Sequence, residues 1–271
     1  MYYRTPSGRI SNLFLDMTHQ SHLLIAGATG SGKSVAINGI ISTILYRLPG
    51  PSAGAAQLIL IDPKRVELAA YADLPHTICH ADGFNPEKWQ KALALAVDIM
   101  DSRYEQMKRE RVKEFRGGDL YVIIDEWTAI SKNGGAPCYR ATLRLLSEGR
   151  AARVHVIMAT QVPKATIIPT EIRENFTARL CLMTENSTQS RIIMEAKGCE
   201  ELPDPKRSGY ALGYYKLSGK NCKLYKVPYI PQEELDRIVN HWEAQTTVLL
   251  RKSGLLNKIA AWFDFGKTYG V

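Results

Sequence analysis

The sequence predicts an α/β fold: a mostly parallel central sheet flanked by helices, with a C-terminal β-hairpin extension. Three observations predict it. Short apolar, β-branched runs alternate with longer segments of helical periodicity, the pattern of βαβ units. Those runs are near-continuously apolar rather than alternating, as strands covered on both faces must be. Finally, 271 residues, 45% of them hydrophobic and 23% charged, supply a core that needs neither disulfides nor a structural metal.

Taken in order, His22–Ala26 (HLLIA) reads as the first strand. A glycine-rich turn follows, then a helix from Lys33 to Leu48 that Pro49, Gly50 and Pro51 terminate. Leu58–Ile61 is a second buried strand, closed by Asp62 and Pro63. A long helical pattern spans Asn85–Phe115 and ends at Gly117 and Gly118, and Leu120–Ile124 is the third strand. A helix is expected over Ala141–Ala152, a fourth strand over Val154–Ala159 and a fifth over Phe176–Met183. Tyr210–Tyr215 and Cys222–Val227 alternate like a hairpin across the turn Ser218–Asn221. A helix over Gln232–Gln245 then leads into an amphipathic tail, so one domain is expected over residues 1–242 and a tail over 243–271. Ligands of parallel sheets bind at the carboxyl ends of the strands. The polar motifs of this sequence are expected at those ends.

Composition narrows the class further. No apolar run approaches the roughly 18 to 20 residues that cross a bilayer, and the N-terminus has no charged region leading into an apolar one. A cytoplasmic protein is therefore expected, with recruitment to a membrane left to a partner. The five cysteines (Cys79, Cys138, Cys181, Cys199 and Cys222) are odd in number and lack CxxC spacing, which suits reduced thiols. Thirty-five Lys and Arg against 27 Asp and Glu leave a net charge of +8, which suits a polyanionic partner such as nucleic acid.

Gly27-Ala28-Thr29-Gly30-Ser31-Gly32-Lys33-Ser34 fits GxxxxGK[ST] between a strand and a helix, with Val35 next along that helix. Glycines let successive backbone N–H groups turn toward a phosphate chain, and the helix N-terminus adds partial positive charge. Lys33 can then reach the β- and γ-phosphates of ATP while the Ser34 hydroxyl ligates Mg²⁺. An acidic partner for the metal is offered at two strand ends, Asp62 and Asp125. Asp125 is the better candidate because Glu126 follows it: Asp125 orients the metal and Glu126 acts as general base on water. An acidic pair after a strand also serves as a plain helix N-cap. Gln161, closing the fourth strand, is the candidate γ-phosphate sensor, the alternative being a strand-capping amide. Arg150, in the turn Gly149–Arg153, is either a complement to a helix dipole or an arginine offered to a neighbouring subunit's triphosphate.

These residues resemble the FtsK/SpoIIIE DNA-translocase motors of the HerA/FtsK group of RecA-like ATPases. The resemblance runs from about Gly8 to Trp242 and is carried by HLLIAGATGSGKS (His22–Ser34), LILIDPKRVEL (Leu58–Leu68), DSRYEQM (Asp101–Met107), VIIDEWTAI (Val122–Ile130), GRAARVHVIMATQVP (Gly149–Pro163), TARLCLMT (Thr177–Thr184), SRIIM (Ser190–Met194) and GYAL (Gly209–Leu212). It implies a RecA-like core, a hexameric ring with ATP at subunit interfaces, and double-stranded DNA in the central channel. It also implies that Arg150 acts in trans, that Asp62, Lys64 and Glu67 form a structural link near the nucleotide, and that loops over Val162–Arg173 and Thr184–Thr188 face the DNA. Lys164 and Arg173 are the cations of the first loop, suited to sequence-independent phosphate contacts.

The sequence departs from the family at Val162, where relatives carry arginine, and in the second loop, where Glu185 stands in a segment with no cation. A short stand-alone motor fits a phage, plasmid or conjugative element better than a cell-division translocase. The expected function is an ATP-hydrolysing ring motor on double-stranded DNA. The alternatives are DNA packaging or transfer, including single strands, and protein secretion of the type VII kind.

Overall fold

The computed structural model describes residues 2–4, 10–12, 15–17, 19–47 and 56–253. In chain order the elements are β1 (Tyr2–Arg4), β2 (Ile10–Asn12), β3 (Leu23–Ala26), α1 (Lys33–Arg47), β4 (Gln57–Asp62), β5 (Thr77–Asp82), α2 (Pro86–Glu110) and β6 (Leu120–Ile124). Next come α3 (Trp127–Asn133), α4 (Gly135–Glu148), β7 (Val154–Thr160), α5 (Thr170–Arg173), β8 (Ala178–Leu182) and α6 (Ser187–Met194). The chain continues with α7 (Pro205–Ser208), β9 (Leu212–Leu217), β10 (Lys223–Lys226) and α8 (Gln232–Ser253).

The strands form one sheet in the order β2-β1-β10-β9-β8-β3-β7-β6-β4-β5. The six from β8 to β5 are parallel, and the four at the other end are antiparallel. This is the doubly covered parallel sheet with a terminal hairpin that the apolar runs predict. Successive residues of β6 divide between its faces. Val122 and Ile124 pack with Trp89, Leu93 and Met100 of α2, while Tyr121 and Ile123 join the layer that holds Ile37 and Ile41 of α1 and Leu235 and Val239 of α8.

Several elements differ from expectation. The long helix stops at Glu110, because Arg111 takes a left-handed conformation (φ 55) and its N–H returns to the carbonyls of Met107 and Lys108. A sixth parallel strand, β5, lies at the sheet edge; its mixed sequence TICHAD hides it. The expected helix over 141–152 begins earlier, at Gly135, and α3 precedes it. At the C-terminus α8 runs through position 242 as far as Ser253, and residues 254–271 of the amphipathic tail lie outside the described residues. No helix among the described residues is long and apolar enough to cross a membrane.

One buried histidine fixes the start of the central strand. The Val156 N–H donates to His22 Nδ1 at 3.0 Å, which requires that nitrogen to be unprotonated. Burial, helped by the charge of nearby His155, lowers the His22 pKa from 6.5 to about 3. The proton therefore binds the unfolded chain more tightly. This contribution to stability is full above pH 6.5 and is lost as pH falls toward about 3. At roughly 1.4 kcal/mol per pKa unit the loss is on the order of 5 kcal/mol. Denaturant unfolding followed against pH is expected to show it as a downward slope that His22→Asn flattens. An unchanged slope in the variant would assign the acid sensitivity to other groups.

Candidate active site

The phosphate loop bridges β3 and α1. The Gly27 N–H is bonded to Thr160 O at 3.3 Å and the Ala28 N–H to Met183 O at 2.8 Å, so the neighbouring strands anchor the loop at its base. Gly30 and Gly32 lie in the left-handed region, at φ 80 and φ 94, where other residues are strained. A Cβ on Gly32 would also sit 2.5 Å from Ala211 Cβ. Beyond this turn the first amides of α1 have no intrahelical acceptors and lie on the positive end of the helix dipole.

The ends of β6 and β7 bring the expected catalytic residues against that loop. Lys33 Nζ donates to Asp125 O at 3.1 Å and lies 3.8 Å from both Asp125 Oδ1 and Glu126 Oε2. Glu126 Oε1 accepts from the Gln161 N–H at 3.2 Å and, as N-cap of α3, from the Thr128 N–H at 3.3 Å. The Thr29 hydroxyl donates to Gln161 Oε1 at 3.1 Å. Thus Thr29, Lys33, Asp125, Glu126 and Gln161 form one connected group. The single carboxylate of Glu126 caps α3 and also faces the phosphate-loop lysine.

The electrostatics of the two acids differ. Burial raises the Asp125 pKa to about 6; Asp62, Glu67 and Glu126 add to the rise and Lys33 opposes it. Burial also pushes Glu126 upward, but Lys33, the Gln161 amide, Thr128 and Lys64 outweigh it and hold its pKa below the usual value. Glu126 is therefore ionised at neutral pH. Asp125 Oδ1 and Ser31 Oγ are buried with no hydrogen-bond partner among the described residues. A buried carboxylate oxygen with no hydrogen bond, 3.8 Å from the P-loop lysine, fits a hard divalent cation, which takes few protein ligands alongside substrate phosphates. Ser34 and Asp125 are the residues that would hold Mg²⁺.

The DPKRVEL segment, expected by resemblance to be a structural link near the nucleotide, is built around Asp62. Asp62 is buried and accepts three backbone N–H groups, from Lys64 and Arg65 at Oδ1 and from Leu68 at Oδ2, each at 3.0 Å. That turn aims Lys64 so that its Nζ lies 3.3 Å from Glu126 Oε2. Lys64 is the site residue that local pattern could not place, because 62 positions separate it from its partner. Apart from the resemblance that put it near the nucleotide, its signal was a lysine two residues past a strand-ending aspartate.

Arg150 departs from the expectation that every polar motif lies at a carboxyl strand end. It is exposed on the turn that feeds the amino end of β7. Seven strand residues at about 3.3 Å each put it roughly 23 Å from the phosphate loop of its own chain. The turn is rigidly supported. Buried Arg103 donates to Ala152 O at 2.8 Å and Arg153 O at 3.0 Å, and the Tyr104 hydroxyl donates to Glu148 O at 2.6 Å. Arg153 pairs with both oxygens of Asp119 at 2.7 and 2.8 Å. The DSRYEQM segment is thus the buttress of this turn.

Of the two expected DNA loops, the first carries exposed Lys164 and half-buried Arg173 beyond the end of β7. It is tied to the site because the Trp127 indole N–H donates to Ile167 O at 2.8 Å. The second, Thr184–Thr188, forms the capped start of α6: Asn186 Oδ1 accepts from the Gln189 N–H at 3.0 Å, and Gln189 bonds Glu185 twice.

The model of the FtsK/SpoIIIE family matches residues 5–214. The chain belongs to the FtsK/SpoIIIE family. It is 36% identical over 207 residues to a DNA translocase FtsK of Lactococcus lactis subsp. cremoris, covering 69% of this chain and 27% of that protein. With the DNA translocase FtsK of Streptococcus pyogenes serotype M1 the identity is 33% over 251 residues, 85% of this chain and 30% of that one. The chain thus spans less than a third of the length of these curated relatives. Among solved structures, the pCW3 conjugation coupling protein TcpA, in a monomer form with ATPγS, superposes with a TM-score of 0.71 at 21% identity over 89% of this chain and 69% of that chain. The cytoplasmic domain of the type VII secretion ATPase EccC of Thermomonospora curvata gives 0.74 at 19% identity, over 89% and 30%. These likenesses show the RecA-like P-loop fold in this FtsK/SpoIIIE member.

Proposed function

We propose that this FtsK/SpoIIIE member is an ATPase that moves DNA, and that it works as a homo-oligomeric ring, hexameric as in the expectation from sequence, on double-stranded DNA. The observation that carries the reading is Glu126. Its carboxylate is bonded to the Gln161 N–H and faces Lys33 and Lys64, while the next residue, Trp127, holds the loop that bears Lys164 and Arg173. One short segment therefore joins the hydrolytic group to a candidate DNA contact.

In this reading the loop amides and Lys33 bind the triphosphate and draw the lysine away from the two carboxylates. Mg²⁺ on Ser34 and Asp125 would supply charge neutralisation at the β- and γ-phosphates. Glu126, freed on one side, accepts a proton from the attacking water as general base. Gln161, bonded to both Thr29 and Glu126, couples the loop to that base and reports whether the γ-phosphate is present. Arg150 of a neighbouring copy completes the charge stabilisation, which is the larger part of phosphoryl-transfer catalysis. Lys164 and Arg173 contact DNA phosphates, an interaction that carries no sequence information.

ATPase rate is the deciding measurement, taken with linear duplex, with single-stranded DNA and with none, using Lys33→Ala as blank. Stimulation by duplex above single strand is expected, together with a sixfold mass when ATP and DNA are both present. Hydrolysis indifferent to every DNA form would overturn the motor reading. Stimulation mainly by single strands would replace double-stranded translocation with single-strand transfer.

A further inference from the structure

Lys33, Asp125, Glu126 and Gln161 all lie on one side of the phosphate loop, toward β7 and β6. On the other side, toward β9 and β10, the loop opens into a cleft of about 1380 Å³. Gly30, Gly32 and Val35 form its inner wall; Tyr210, Lys226 and Tyr229 stand on the outer one.

That outer wall is packed directly onto the loop. Ala211 Cβ lies 2.5 Å from where a Gly32 Cβ would be, and Lys206 Cε 3.6 Å from where a Gly30 Cβ would be. Gly209, at φ 74, ends α7 and turns the chain into Tyr210. Ser208 Oγ donates to Tyr210 O at 2.8 Å, and the Val227 N–H donates to Ala211 O at 2.9 Å, joining the two segments of the wall. Lys226 Nζ sits 4.8 Å from the centre of the Tyr210 ring, a cation–π contact that orients it. Even so, Tyr210 and Tyr229 remain 41% and 74% exposed.

We propose that this cleft seats the base of the bound nucleotide, with Tyr210 and Tyr229 as stacking surfaces for it. The inference rests on the reading of the loop as an ATP site. A triphosphate clamped along the loop with its terminal phosphate toward Glu126 must extend its ribose and base the opposite way, and that direction is the cleft. Aromatic faces there recognise a base by its π-surface, so the tyrosines select for a nucleoside and leave the phosphates to the loop.

Calorimetric titration of the full chain with ATP and with inorganic tripolyphosphate, both with Mg²⁺, separates the two ends of the ligand. Tyr229→Ala and Tyr210→Ala are each expected to weaken ATP about tenfold, to leave tripolyphosphate binding unchanged, and Tyr229→Phe to keep the wild-type affinity. Alanine variants that bind ATP like the wild type would overturn the proposal, as would an equal loss of ATP and tripolyphosphate. A wild-type chain that binds neither ligand would instead overturn the ATP-site reading itself, and this inference with it.

Discussion

Arg150→Ala is expected to lower ATP hydrolysis by about 10³- to 10⁵-fold, the range an arginine supplied in trans contributes, while ATP binding persists. Lys33, the loop amides and Gln161 are all on the chain that holds the nucleotide, whereas Arg150 sits at the opposite end of β7. An exposed arginine roughly 23 Å from its own phosphate loop would have to reach the triphosphate of another copy to take part in hydrolysis. Complementation tests this directly. Lys33→Ala subunits keep Arg150, and Arg150→Ala subunits keep Lys33, so mixing two inactive preparations recreates intact interfaces. Activity should reappear on mixing. A mixture as inactive as its components, or an Arg150→Ala protein at full rate, would remove Arg150 from the chemistry. Its buttress of Arg103, Tyr104 and Asp119 would then be a purely structural corner.

Glu126→Gln is expected to slow hydrolysis by roughly 10²- to 10⁴-fold, the contribution of a positioned general base, without loss of the fold or of ATP binding. Glutamine keeps an oxygen for the Gln161 and Thr128 amides, so the cap on α3 survives. What it loses is the charge that faces Lys33 and Lys64, and with it the capacity to take a proton. Single-turnover hydrolysis beside a binding titration separates the two effects. A variant that binds and turns over like the wild type would move the base role elsewhere, with Asp125 the nearest carboxylate.

The phosphate loop and the acidic strand end that it meets were legible because each is local. A glycine-rich turn after an apolar strand, and an acidic pair ending another, are complete within about eight residues, and βαβ topology then forces them to the same sheet edge. What escaped was non-local or locally atypical. The ion pair of Lys64 with Glu126 depends on the Asp62 turn, which no periodicity encodes. The edge strand Thr77–Asp82 interleaves polar residues because one side of it is partly open. The overlong helix reached past Arg111 because a left-handed arginine leaves no compositional mark. The missed α3 begins immediately after Glu126, where a strand-end motif masked a helix start. The turn before β7 offered Arg150 either as a dipole complement or as an arginine for a neighbour, with nothing local to choose between them; its distance from the chain's own loop is a property of β7 as folded.

The indole of Trp127 has a mechanical corollary. It opens a seven-residue helix and grips Ile167 O at 2.8 Å. A displacement of Glu126 is thus handed across a single peptide link to a stiff rod and from there to one carbonyl, with no slack tether between. In the proposed motor such a linkage would trade reach for force: its stroke would be short, its backlash small, and long travel would come from many firings instead of one large swing.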